Sequence, residues 1–121
     1  MTPRPPTPQG ISALLRKAGF KRSDYGKPGV MWNMAMPGYS VWRTFHAGNP
    51  DQLYVAVQYV VGESSAACTD EEWLGHLKEC RAHLEEYAAA IRKAGYHPLV
   101  RDRGKEPPWL TILTAAKAQD Q

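Results

Sequence analysis

Apolar side chains recur along this chain in two rhythms, and the switches between them mark out its elements. From Pro8 to Ala18, the residues Ile11, Leu14, Leu15 and Ala18 fall at i, i+3, i+4 and i+7, the single stripe of an amphipathic helix. Thr7 stands where an N-cap oxygen is needed, and Pro8 in the first helical position has no N–H to leave unsatisfied. Three stretches then alternate with period two: Val30 to Met36, Tyr39 to Phe45 and Leu53 to Val61. That is the rhythm of strands with one buried face. Pro37-Gly38 separates the first two. The segment His46 to Gln52, with Gly48-Asn49-Pro50-Asp51 inside it, separates the second from the third, and these two should pair as an antiparallel hairpin.

After a small, polar loop from Gly62 to Cys68 the helical rhythm returns. Trp73, Leu77, Cys80, Leu84, Tyr87 and Ile91 are spaced 4-3-4-3-4 before Gly95. Thr69 and Glu72 have the spacing of a capping box, and Asp70, Glu71 and Glu72 complement the positive end of the helix dipole. Two further strands, Tyr96 to Arg101 and Trp109 to Thr114, flank a turn over 102–108.

One phrase occurs twice. Leu15-Arg16-Lys17-Ala18-Gly19-Phe20 returns as Ile91-Arg92-Lys93-Ala94-Gly95-Tyr96. Each copy places two cations at the negative end of a helix, then a glycine free to turn left-handed, then an aromatic that folds back. The two stops define the fold class as α+β. The expectation is a single domain in the order α-β-β-β-α-β-β, with an antiparallel sheet and both helices on one face. The domain covers 8–114, between a Pro-rich flexible N-terminus over 1–7 and a polar tail over 115–121.

Composition narrows the class without reaching a function. A hydrophobic content of 43% over 121 residues argues for one folded domain. No apolar run approaches the roughly 20 residues of a membrane span, and Met1 to Pro8 has no signal-peptide character, so a cytoplasmic protein with no membrane partner is expected. Cys68 and Cys80, about 18 Å apart if both lie on helix, are too far apart to bridge. The net charge of +3 is unevenly spread: residues 1–45 carry seven cations and one acid, residues 46–90 two and eight, residues 91–121 six and three.

Two surfaces are candidates for binding. The second helix, at about 25 residues, is roughly 37 Å long, whereas a six-residue strand spans roughly 20 Å. Its start should overhang the sheet and expose Trp73, Leu74 and Leu77, a patch suited to a protein partner or a second copy of the chain. Cover by Trp32 and Trp42 is the structural alternative. The second candidate is nucleic acid, held by a basic patch of Arg16, Lys17, Lys21, Arg22, Arg92, Lys93, Arg101 and Arg103. That patch forms if the two helices run side by side in one direction, and phosphate would be its ligand. Arg43 with Trp42 or Tyr39 would add a stacking element.

Other chemistry is weaker. His76, Cys80 and His83 share a helix flank as zinc ligands would, but i,i+4 pairing of Glu72–His76 and Glu79–His83 explains them structurally, and no metal or cofactor is assigned. The 4-3 spacing also fits a short seam, though its flanks lack the complementary charges of an extended zipper. Phosphate-cradling glycine loops, H-E-x-x-H and nucleophile elbows are missing, so neither an enzyme nor a small-molecule substrate is indicated. The order α-β-β-β-α over Pro8 to Gly95 is similar to a double-stranded RNA-binding domain. That family grips phosphate with a Lys-rich start to its second helix, where this chain has Thr69-Asp70-Glu71-Glu72. The helix-stop phrase, small size and Pro/Arg/Ala usage resemble small proteins of actinobacteria and of their phages and plasmids. That resemblance implies an accessory role in a mobile element and carries no site residues.

Overall fold

A computed structural model describes residues 6–46, 49–62, 69–104 and 106–113. Helix α1 spans Pro8–Lys17, β1 Gly38–His46, β2 Asn49–Val60, α2 Asp70–Lys93, β3 Pro98–Arg103 and β4 Glu106–Leu113. The strands form one antiparallel sheet in the order β1-β2-β4-β3. The fold is α+β, and the regular order is α-β-β-α-β-β.

Local chemistry places both helices. Thr7 Oγ1 accepts from the Gly10 N–H at 3.0 Å. Thr69 Oγ1 accepts from the Glu72 N–H at 3.2 Å while Glu72 Oε1 accepts from the Thr69 N–H at 2.9 Å, completing the capping box. The two stops are copies in space as in sequence. Gly19 and Gly95 both have φ 98°, and the N–H groups of Phe20 and Tyr96 reach back to the carbonyls of Leu15 and Ile91 at 3.1 and 3.3 Å. These bonds cap carbonyls that the helix itself cannot satisfy.

The core lies between the helices and one face of the sheet. Tyr39 on β1, Val55, Val57 and Tyr59 on β2, and Leu110 and Ile112 on β4 meet Ile11 and Leu15 of α1 and Cys80, Leu84, Tyr87 and Ile91 of α2. Tyr39 is fully buried. Its hydroxyl donates to the Ser12 carbonyl at 3.0 Å and stands 3.0 Å from Ser12 Oγ, which ties α1 to the outer strand without an unsatisfied oxygen.

Three expected boundaries move. The alternating stretch Val30 to Met36 is not a strand but carries a 3-10 turn at Trp32–Met34. A strand there would need a partner, and the outer edge of β1 is already used: Tyr39 N–H donates to the Lys21 carbonyl and Ser23 N–H to the Tyr39 carbonyl. Met36 N–H is satisfied by Asp24 Oδ1 at 2.7 Å instead. The loop expected over His46–Gln52 is partly strand, since β2 begins at Asn49. The register jumps from Phe45↔Leu53 to His46↔Asn49, so Pro50 falls in a bulge, where its missing N–H costs no ladder bond. The turn expected over 102–108 is also shorter. Gly104 N–H donates to Asp102 Oδ1 at 3.1 Å, β4 starts at Glu106, and Pro107 and Pro108 sit beside a second register shift. The expectations for 1–5, the loop 63–68 with Cys68, and the tail from Thr114 lie outside the described residues.

Candidate functional site

Helix α2 divides into two halves by what it buries. Its buried residues are Cys80, Leu84, Tyr87, Ala88 and Ile91; none precedes Cys80. Its first ten residues are at most half-buried. Leu74 is 54% exposed, Leu77 and Trp73 are half-buried, and the Trp73 ring meets the edge of His76 with centroids 6.3 Å apart. An ion pair between Arg81 and Asp102 links α2 to the end of β3. Between them runs a groove of about 600 Å³, lined by Leu74, Gly75, Leu77, Lys78 and Pro108 among others.

The two tryptophans expected as cover are elsewhere. Trp32 packs against Tyr25 with ring centroids 5.4 Å apart. Trp42 lies in a cross-strand row with Ala56, Thr111 and Leu99, a row that alternates with the core-facing residues and so points away from the helices.

The flank of His76, Cys80 and His83 is used for packing and for contacts with carboxylates. The Cys80 thiol is buried and directed at the Tyr59 carbonyl, 3.8 Å away. Burial first, and then the Glu79 charge, push it up to about 12, so it is a protonated thiol at neutral pH. His83 stacks on the Tyr59 ring at 3.9 Å, and His76 Nδ1 is 3.5 Å from Glu79. Burial and the Glu79 carboxylate raise the Tyr59 hydroxyl to about 12 as well. Among the described residues no three His, Cys, Asp or Glu side chains converge to hold a metal ion.

The cations form two groups. Phe20, just past the α1 stop, packs edge-on against Tyr87 with centroids 4.9 Å apart. The basic end of α1, with Arg16 and Lys17, thus lies beside the last third of α2, which ends in Arg92 and Lys93. Lys21 and Arg22 continue along the outer edge of β1. Arg101 belongs to the opposite edge and face: it is on β3, and its Nε donates to Thr111 Oγ1 at 3.2 Å. Arg103 closes that same strand. Arg16, Lys17, Lys21, Arg22, Arg92, Lys93 and Arg101 are exposed, and none is in an ion pair among the described residues.

A further surface has no counterpart in the sequence expectations. The segment from Arg22 to Met36 folds over the lower corner of the open sheet face. It leaves a groove of about 820 Å³ whose lining includes Arg22, Tyr25, Lys27, Met36, Trp42 and Gln58. Met36, at the end of the stretch Val30 to Met36 expected as a strand, lines this groove instead. No protein-family model, curated protein or solved structure matches this chain.

Proposed function

We propose that the protein is a non-enzymatic interaction module whose partner is a protein, gripped through Trp73, Leu74 and Leu77 at the start of α2. One observation carries this reading: none of the first ten residues of a well-capped helix is fully buried, and Leu74 and Leu77 line a groove there. Apolar surface held out on a rigid helix is the usual form of a docking element. A photo-crosslinking benzophenone residue at position 74, in the native host, should give a protein adduct on irradiation. The same residue at position 85, on the exposed part of the buried half of α2, should not. Failure to crosslink at 74, or equal labelling at both positions, contradicts the reading.

A second reading rests on the two basic helix ends lying in one layer. Nucleic acid bound there would be retarded in gels at low salt. Changing Arg16, Lys17, Arg92 and Lys93 to Glu should weaken the shift and reduce the salt dependence by about 0.9 in log–log slope per lost contact. No retardation of wild type at low salt removes this reading.

A further inference from the structure

Three exposed apolar side chains of this molecule gather in one groove. Of the eight large ones among the described residues, Tyr25, Met36 and Trp42 line the groove on the open sheet face, and Leu74 stands at the start of α2. Met36, with three rotatable bonds, gives the groove an adaptable side for an apolar guest. Aromatic rings at its base give the rigid complement. The rim is cationic: Arg22 and Lys27 line the groove, and its one described carboxylate, Asp24, is occupied by the Met36 N–H.

The guest such a groove would take is apolar with acids beside it. The chain contains that segment. Asp70 and Glu71 are exposed in the first turn of α2, immediately before Trp73 and Leu74. We infer that the groove receives the start of α2 from a second copy, with Asp70 and Glu71 against Arg22 and Lys27, and Leu74 among Met36, Tyr25 and Trp42. The inference rests on the reading of the α2 start as a docking element and names what it docks into.

Both surfaces lie towards the same end of the sheet. Gly62, which follows β2 and leads towards α2, abuts Ala35 of the groove segment. Two copies meeting at that end can therefore exchange α2 starts reciprocally, and a two-fold pair closes where a one-way contact would propagate.

Charge exchange between copies tests this directly. One variant carries Arg22→Glu and Lys27→Glu; the other carries Asp70→Lys and Glu71→Lys. All four positions are exposed, and circular dichroism checks that each variant retains its helices. In sedimentation velocity over a concentration series, wild type should dimerise. Each variant alone should lose at least about tenfold in affinity, because like charges then face each other at both contacts. An equimolar mixture should recover dimers, since the acidic groove of one meets the basic α2 start of the other, and the reverse contact is native in sign. Three outcomes overturn the inference: a monomeric wild type, variants that dimerise unchanged, or a mixture that stays monomeric. A monomeric wild type that still crosslinks to other proteins from position 74 would remove the second copy while leaving the docking role of α2 intact.

Discussion

Gly62→Ala should destabilise the protein by roughly 3 kcal/mol, among the largest losses from any one-carbon change in the chain. Two effects add. Gly62 sits at φ 63°, a left-handed conformation that costs a non-glycine residue about 1 kcal/mol or more. A Cβ at Gly62 would also run into the backbone carbonyl of Ala35, and backbone cannot step aside as the end of a side chain does. Ala35 is fully buried and holds the groove segment against the end of β2. The new methyl must push that segment away or twist the strand end. Gly104→Ala separates the two effects: its φ is 73°, but nothing lies within 4 Å of its added Cβ. It should lose only about 1 kcal/mol. Urea unfolding midpoints of the two variants give the comparison. Equal losses would mean that Ala35 yields freely and that the groove wall is not anchored at Gly62.

That anchor also explains what could and could not be seen in the sequence. The paired helix stops were legible because their chemistry is local: cations, glycine and aromatic act within six residues, and both copies reach the same φ. The capping box at Thr69 and Glu72 was legible for the same reason, and so was the β1–β2 hairpin, whose registered faces alternate over seven pairs from Tyr39↔Tyr59 to Phe45↔Leu53. Val30 to Met36 misled because alternation says nothing about whether a pairing partner is free. Arg22, more than a dozen residues away from Tyr39 in sequence, had already taken the edge. The proline-containing ends of β2 and β4 read as turns because Pro50, Pro107 and Pro108 cannot donate; they are accommodated at register shifts, which only pairing reveals. The length of α2 was legible from its periodicity, but of Trp73, Leu74 and Leu77, all expected to be exposed at its start, Trp73 and Leu77 are half-buried, which lengths alone do not reveal. The groove on the open face was not legible either, because it exists only once Arg22 to Met36 has crossed the sheet edge and met Gly62, a contact between distant parts of the chain.

Unfolding of Leu84→Ala and Leu74→Ala, measured side by side in urea, tests most directly whether α2 has one half for the core and one for a partner. Leu84 is fully buried among the core residues shared by both helices and the sheet. Removing its branched end leaves a cavity that close-packed neighbours fill only in part, a loss of about 3 kcal/mol within a usual range of about 2–5. Leu74 makes the same chemical change on the same helix, but at 54% exposure it has little buried surface to forfeit, and the expected loss is within about 0.5 kcal/mol. The protein should be dilute, so that association does not contribute to either value. A loss at Leu84 several times that at Leu74 is the predicted result. Comparable losses at both positions would place the start of α2 in the core and contradict the account.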